Sequence, residues 1–158
     1  QMNYMEFLKK ILYRIKNSYG KYCMKKILID LNIILDFLNK RNYHEEAALI
    51  IDLCVCGQAA GFVCAHEITT LSYFLLKEHK DKPKVINAIT AIMNMFTIIP
   101  TDETVLRDAL LSKITDYEDA VIEASSIKNN IDFIITRNIS DFKHSRVQAY
   151  TPEQFLVL

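Results

Sequence analysis

Two kinds of hydrophobic pattern alternate along most of this chain. Short, nearly continuous apolar runs rich in β-branched residues are typical of strands covered on both faces of a sheet. Longer segments with apolar residues at helical spacing separate them, so the pattern predicts an α/β domain with a mostly parallel sheet. The predicted strands are Lys26–Leu31, Gly61–Ala65, Phe96–Ile99, Asp132–Thr136 and Val147–Tyr150. The predicted helices are Ile33–Leu38, His44–Cys56, Glu67–His79, Lys84–Met95, Glu103–Ser112 and Tyr117–Asn129, and Thr151–Gln154 reads as a further capped helix start.

Residues 1–23 carry a different, basic and amphipathic pattern. Apolar residues recur at helical spacing from Phe7 to Ile15, with lysine and arginine between them. This pattern predicts a helical extension docked on the domain or on a partner; a helix on a membrane surface is the alternative. A third interpretation places the biological start at Met24, which opens an apolar strand. Residues 24–158 are therefore predicted to form a single domain.

Composition limits the classes of function. Lysine plus arginine and aspartate plus glutamate number 19 each, so no global charge attracts nucleic acid and any contact needs a local patch. Four cysteines in a chain with 51% hydrophobic residues are expected to be reduced thiols in the cytoplasm. No apolar run approaches the roughly 20 residues that span a bilayer, so we expect no membrane partner.

Carboxylates follow three of the predicted strands. Asp30 ends the first strand, Glu67 lies in the first helical turn after the second, and Asp141 follows the fourth through a short turn. Each has an ordinary explanation, as a helix cap, a helix-dipole partner or a turn residue. Because the carboxyl ends of parallel strands share one edge of a sheet, we expect these three carboxylates to converge.

A fourth carboxylate, Asp119, lies near the start of the helix at Tyr117–Asn129. Asp116, Asp119 and Glu123 share one edge of this helix. Like charges at this spacing destabilise a helix unless solvent or a bound cation offsets their repulsion. Asp119 borders the apolar face and is the better ligand, whereas Asp116 is a possible further ligand or a plain dipole partner. Hard oxygen ligands of this kind suit Mg²⁺ or Mn²⁺, which supports phosphodiester hydrolysis.

Four fragments stand in a characteristic order and spacing: Ile29–Asp36, His66–Ile68, Asp116–Ala120 and Ile135–Phe142. In these fragments the chain resembles the PIN domain family, specifically its VapC-type toxins. The resemblance implies a three-layer α/β/α sandwich, a Mg²⁺- or Mn²⁺-dependent endoribonuclease, an antitoxin partner and a homodimer. The family typically has Thr or Ser where this chain has Leu31.

The resemblance also assigns roles to individual residues. It carries over Asp30, Glu67, Asp119 and Asp141 as the acidic, metal-binding set. It implies that Asn32, Thr136 and Asn138 position water or phosphate, and we expect Arg137 to contact the substrate beside them. Further contacts to RNA are expected from Lys40-Arg41 and from the cluster Lys143-His144-x-Arg146.

Four alternatives compete with this interpretation. A haloacid-dehalogenase-type phosphatase requires a second carboxylate two residues after the first, where this chain has Asn32. A receiver-type signalling domain requires a lysine where Arg137 follows Thr136. Cys54 and Cys56, two apart on a helix, point about 200° away from each other and do not chelate one zinc ion readily. The remaining alternative is a catalytically silent PIN-like domain that binds RNA or a partner without cutting.

Overall fold

Five parallel strands form one sheet with the order β3-β2-β1-β4-β5. The structure is a computed structural model that describes residues 24–158, and the helical extension predicted for residues 1–23 lies outside the described residues. The strands are β1 (Lys26–Ile29), β2 (Ala60–Cys64), β3 (Thr97–Ile99), β4 (Phe133–Ile135) and β5 (Gln148–Tyr150). Each lies within one or two residues of its predicted position.

Seven α-helices connect and cover these strands within residues 24–158. They are α1 (Leu31–Leu38), α2 (His44–Val55), α3 (Ala65–His79), α4 (Lys82–Met95), α5 (Glu103–Ala109), α6 (Tyr117–Lys128) and α7 (Pro152–Leu156). A 3₁₀ turn, Ile139–Phe142, follows β4. No helix in this part of the chain is both long and apolar enough to cross a bilayer.

The sheet lies between two layers of helices. Side chains of successive strand residues point to opposite faces, so Ile27 and Ile29 join the core under α1 to α4 and α7. Leu28 joins a separate core under α5 and α6. All three side chains are fully buried, which explains why β1 reads as a continuous apolar run. The predicted three-layer α/β/α sandwich is confirmed.

Local capping determines where the elements begin and end. The Asp30 side chain accepts the Asn32 N–H, which starts α1 at Leu31 and ends β1 at Ile29. The predicted helix at Ile33–Leu38 therefore begins two residues earlier than expected. At α7, Thr151 and Gln154 form the predicted capping box with Pro152 in the first turn.

The order of the strands reverses beside the central strand. β2 and β3 lie on one side of β1, whereas β4 and β5 lie on the other. In open α/β sheets, the carboxyl ends of the strands at such a reversal flank a crevice in which ligands bind. Asp30 follows β1 and Thr136 follows β4, so both residues lie at this crevice.

Candidate active site

A cavity of about 170 Å³ opens beyond the carboxyl ends of β1 and β2, against the first turns of α6. Three of the predicted acids, Asp30, Glu67 and Asp119, line it together with Asn32. A fourth carboxylate in the lining, Glu118, was not predicted to belong to the site. The apolar side chains in its wall are Leu31, Leu35 and Ile122. Residues that are 89 positions apart in the sequence therefore share one pocket.

Asp30 is held rigidly at the base of the cavity. Its Oδ2 accepts hydrogen bonds from Thr136 Oγ1 at 2.5 Å and from Asn32 Nδ2 at 2.7 Å. The Asn138 N–H in turn donates to Thr136 Oγ1 at 3.0 Å. Burial raises the pKa of Asp30, and the hydrogen bonds from Thr136 and Asn32 offset this only in part. This network selects one orientation for a carboxylate that faces the cavity.

Glu67 joins the two strand ends. Its Oε1 accepts the Leu31 N–H at 2.7 Å, and its Oε2 accepts the Cys64 N–H at 3.1 Å. The carboxylate therefore caps α3 and also holds the start of α1, while only 1% of the residue is exposed. Burial raises the pKa of Glu67 well above its usual value, and the negative charge of Asp30 raises it further. Glu67 combines the capping role with a place in the lining of the cavity.

Asp119 brings a third carboxylate from α6. Burial, followed by the charges of Asp30, Asp116, Asp141 and Glu118, raises the pKa of Asp119 to about 7. Asp116 is exposed and its Oδ1 accepts the N–H groups of Glu118 at 2.8 Å and Asp119 at 3.3 Å. It is thus the N-cap of α6. The neighbouring acids thus oppose the ionisation of Asp119.

Asp141 and Asn138 lie at the rim of the site. Asp141 is exposed on the 3₁₀ turn and does not line the cavity, although its charge acts on Asp119. Asn138 contributes its backbone N–H to the Thr136 network, and the residue itself is exposed. The structure thus brings together Asp30, Glu67, Asp119, Asn32 and Thr136 and leaves Asp141 and Asn138 at the edge.

Two predicted nucleic-acid contacts hold acids elsewhere in the fold. Arg137 donates from Nη1 to Asp36 Oδ1 at 2.7 Å and Oδ2 at 2.9 Å, while its backbone N–H donates to Asn32 Oδ1. Arg146 donates its backbone N–H to Glu123 Oε1 at 2.6 Å and its guanidinium to both Glu123 oxygens. Lys143 and His144 remain exposed. Both arginines therefore have structural partners.

A family model described as the PIN domain matches residues 26–140 of this chain. The chain belongs to the PIN domain family. The match begins at β1 and extends through the Thr136–Asn138 segment, so it contains Asp30, Glu67 and Asp119. A comparison with curated protein sequences finds no significant match.

Solved structures share this PIN fold at low sequence identity. FitAcB from Neisseria gonorrhoeae has a TM-score of 0.65 and 21% identity over 80% of this chain and 98% of that chain. VapBC2 from Rickettsia felis, bound to a DNA fragment from its promoter, has a TM-score of 0.64 and 16% identity, covering 79% and 97%. VapC20 from Mycobacterium tuberculosis, a sarcin–ricin loop cleaving toxin, has a TM-score of 0.54 and 14% identity, covering 68% and 86%.

The donor set of the PIN cavity fits a hard divalent cation. Four carboxylates line it, and none of the described residues in its wall is basic. The mutual repulsion that raises the pKa of Asp119 is a charge imbalance that Mg²⁺ or Mn²⁺ would offset. Within residues 24–158, no three His, Cys, Asp or Glu side chains lie close enough together to hold a metal ion as they stand.

Sequence reasoning missed two acids that the structure places near this site. Glu118 lines the cavity, but one residue before Asp119 on a helix it reads as a solvated charge. Asp36 is fully buried on α1 and pairs with Arg137. A signal for Asp36 was present, because a carboxylate inside the apolar run from Ile33 to Leu38 requires a partner when it is buried. The periodicity of the sequence does not show which cationic residue is the partner of Asp36.

Asp116, Asp119 and Glu123, which were predicted to share one edge of α6, do not share one environment in the structure. Glu123 is buried away from the cavity, where Ser112 Oγ donates to its Oε2 at 2.6 Å in addition to the bonds from Arg146. Burial opposes ionisation of Glu123, but these hydrogen bonds outweigh it and lower the pKa of this carboxyl. The expected repulsion along the edge is therefore offset at Glu123 by Arg146.

Proposed function

We propose that this chain is a Mg²⁺- or Mn²⁺-dependent endoribonuclease, the toxin of a toxin–antitoxin pair. The observation that carries the proposal is the shared cavity of Asp30, Glu67 and Asp119, in which carboxylates repel one another with no basic side chain in the wall. Acids in a cleft whose pKa values are raised by burial and by one another are candidates for a functional site, because catalytic and metal-binding groups need such shifted values. Membership of the PIN domain family supports a nuclease.

The solved structures of the same fold support the finer part of the proposal. They include VapC20, a sarcin–ricin loop cleaving toxin, and a toxin–antitoxin complex from Klebsiella pneumoniae. On that likeness we infer RNA as the substrate and an antitoxin as the protein partner. We also infer a homodimer, whose mass in solution is measured by light scattering during size-exclusion chromatography. A monomeric mass at all concentrations would contradict the dimer without affecting the nuclease.

The residues of the cavity have distinct tasks in this proposal. Asp30, Glu67 and Asp119 would hold the ion, with Asp141 and Asp116 adding negative charge from the rim. When bound, the ion would supply Lewis-acid stabilisation of the phosphoryl oxygens and activation of a water molecule. Thr136 and Asn32 orient Asp30 through hydrogen bonds, as outer partners of metal ligands do. Leu31, Leu35 and Ile122 exclude bulk water from one side of the cavity.

One observation favours a second candidate, the catalytically silent PIN-like domain. Both carboxylate oxygens of Glu67 already accept backbone N–H groups, and the residue is almost completely buried. A carboxylate engaged in this way performs a structural task whether or not a metal binds. Each oxygen retains a second lone pair, so Glu67 remains able to serve as a ligand. The two candidates differ in whether cleavage depends on metal and on these acids.

The deciding experiment measures cleavage of a 5′-labelled single-stranded RNA by the purified full-length chain. We expect Mg²⁺ or Mn²⁺ to support cleavage, EDTA to stop it, and added metal to restore it. The variant Asp30→Asn should lower the rate at least about 100-fold, since loss of an outer partner of a ligand alone costs about 10- to 100-fold. Asp52→Asn, which changes a distant exposed acid on α2, is the matched control.

Two results would contradict the ribonuclease. Cleavage that persists in EDTA would mean that the activity does not use the proposed cation. Equal cleavage by wild type, Asp30→Asn and Asp52→Asn would mean that the activity is a contaminant. If metal binds but no RNA is cut, the silent PIN-like domain is the correct candidate.

A further inference from the structure

A second pocket, of about 250 Å³, is lined in part by Arg137, whose backbone N–H donates to Asn32 in the wall of the acidic cavity. Its walls come from α1 (Ile33 and Asp36), from Tyr43 just before α2, from Arg137 after β4, and from the start of α7, including Glu153. None of the four carboxylates that line the acidic cavity lines this second pocket. The pocket is smaller than the roughly 300–1,000 Å³ of sites for drug-sized ligands, so it suits a single small ring system.

Two flat groups form the main contact surface of this pocket. The guanidinium carbon of Arg137 lies 5.7 Å from the centre of the Tyr43 ring, within the range of a cation–π contact. Tyr43 as a residue is 46% exposed, so the part of its ring that Arg137 does not cover remains accessible to a ligand. Aromatic rings and arginine guanidinium groups are the surfaces on which proteins stack unpaired bases.

Arg137 is fixed in place and still has donors to offer. Nη1 of Arg137 donates hydrogen bonds to both oxygens of the fully buried Asp36 carboxylate. Among residues 24–158, no partner engages Nε or Nη2 of Arg137, whose side chain is 34% exposed. The buried ion pair therefore orients a planar donor toward the pocket. Planar, pre-oriented guanidinium groups recognise base edges and phosphates well.

Glu153 supplies an acceptor in the lining of this pocket. It lies in the first turn of α7, is half-buried, and accepts no hydrogen bond from the other described residues. A carboxylate accepts from the amino group of a base, as in the pairing of glutamate with the exocyclic amine of cytosine. Uracil carries no exocyclic amine, and its single imino N–H lies between two carbonyl oxygens, which repel a carboxylate. The pocket therefore favours adenine, cytosine or guanine over uracil.

Hydrogen bonds connect this pocket directly to the acidic cavity. The Arg137 N–H donates to Asn32 Oδ1 at 3.2 Å, and Asn32 Nδ2 donates to Asp30 Oδ2 at 2.7 Å. Asn32 lines the acidic cavity and the next residue on α1, Ile33, lines the second pocket. A phosphodiester at Asp30 would thus place an adjoining nucleotide beside Tyr43.

We propose that the pocket between Tyr43, Arg137 and Glu153 binds one amino-bearing nucleobase of the RNA strand, next to the phosphodiester held at the acidic cavity. This inference rests on the proposed function for the identity of the strand. It adds the subsite that selects the base. Tyr43 stacks on the base, Glu153 accepts from its amino group, and Arg137 donates to its ring acceptors or to the adjoining phosphate.

The test measures binding of short fluorescent single-stranded RNAs in EDTA, so that no cleavage occurs, at one fixed salt concentration. Tyr43→Ala should weaken binding about fivefold or more, because one base–aromatic stack contributes about 1–3 kcal/mol. Tyr43→Phe retains the ring and should bind within about twofold of wild type. Tyr73→Ala removes a tyrosine that is 61% exposed on α3, outside both pockets, and is the matched control.

A second arm tests the base. Wild type should bind strands of adenine, cytosine or guanine more tightly than an otherwise identical uracil strand, and Glu153→Gln should reduce that difference. Thermal denaturation of each variant verifies folding, and Glu153→Gln alone decides the question if Tyr43→Ala does not fold. Equal binding by wild type, Tyr43→Ala and Tyr73→Ala, including no binding by any of them, would overturn the subsite, as would a Glu153→Gln variant with unchanged discrimination.

The outcomes separate this subsite from the nuclease. RNA binding that depends on Tyr43, in a protein that does not cut with Mg²⁺ or Mn²⁺, retains the subsite and rejects the nuclease. Cleavage that depends on Asp30, with binding independent of Tyr43 and Glu153, retains the nuclease and rejects the subsite.

Discussion

Two groups of buried or half-buried carboxylates in this molecule differ in what balances their charge. Asp36 and Glu123 each meet an arginine, at 2.7 Å and 3.2 Å respectively. Asp30, Glu67 and Asp119 share a cavity whose described lining contains no basic side chain. The pKa of Glu123 is lowered by its partners, whereas the pKa values of the three cavity acids are raised.

The difference separates acids whose charge the protein itself balances with an arginine from acids whose charge it leaves without a basic partner. A buried charge is costly, so a carboxylate that only supports the fold is paired within the protein. The cavity acids retain that cost in the metal-free protein, and a bound cation would remove it. We therefore expect substitutions of Asp36 or Glu123 to lower the stability of the fold, and substitutions of the cavity acids to lower the nuclease activity.

The largest expected effect separates the two groups on one helix. Asp119→Asn should lower RNA cleavage at least about 100-fold, because it removes a proposed metal ligand. It should also leave the metal-free protein as stable as wild type at pH 8, or more stable, because it removes a charge from a repulsive group. Cleavage assays and thermal denaturation in EDTA measure the two quantities.

Glu123→Gln, one turn further along α6, is the matched control for Asp119→Asn. Its carboxylate accepts bonds from Ser112 and Arg146, so the free energy of unfolding should fall by about 2 kcal/mol. Cleavage should remain within about threefold of wild type at a temperature where the variant is folded. Loss of cleavage in a folded Glu123→Gln protein would end the distinction between the two groups.

The next effect tests the other paired acid. Arg137→Met leaves the Asp36 carboxylate buried without its partner. The free energy of unfolding should fall by about 2–3 kcal/mol, less than the roughly 3–5 kcal/mol of a fully buried pair because the Arg137 side chain is partly exposed. Urea denaturation measures the change. The double variant Asp36→Leu/Arg137→Met should recover most of the loss, and a double variant as unstable as Arg137→Met would show that the ion pair is not the cause.

The smallest effect concerns pH in the metal-free protein. Asp119 has a pKa of about 7 in the fold and an ordinary value near 3.8, so between these values the folded state binds more protons. Its contribution to stability is present at low pH and is lost as pH rises through about 7, and the raised pKa values of Asp30 and Glu67 act in the same direction. Glu123 acts oppositely, since its lowered pKa makes stability fall only in acid.

We therefore expect Mg²⁺ to raise the melting temperature more at pH 8 than at pH 6, where protons compete for the same carboxylates. Scanning fluorimetry with Mg²⁺ and with EDTA measures the difference. The variant Asp119→Asn should flatten this pH dependence, while Glu123→Gln should not. An equal Mg²⁺ effect at both pH values would count against binding at the raised-pKa acids.

Much of the fold was predictable because its signals act over a few residues. The run Ile27–Ile29 is apolar because β1 is covered on both faces, and Thr151 with Gln154 forms a cap within a single turn. The missed boundary at α1 has a local cause too. Asp30 served as the expected cap, but the apolar residue Leu31 already belongs to the helix, so the helical pattern began before its periodicity was visible.

The sequence by itself determined that Asp30 and Glu67 follow two strands and that Asp119 lies in the first turn of a helix, because strands, helices and their caps depend on residues close together in the chain. Only the tertiary structure decided which acids are paired: Arg137 reaches Asp36 across 101 residues and Arg146 reaches Glu123 across 23. The physical reason is range. Helix caps and side-chain periodicity depend on residues within one turn or one strand, whereas the balance of buried charge depends on distances that exist only after the layers have packed.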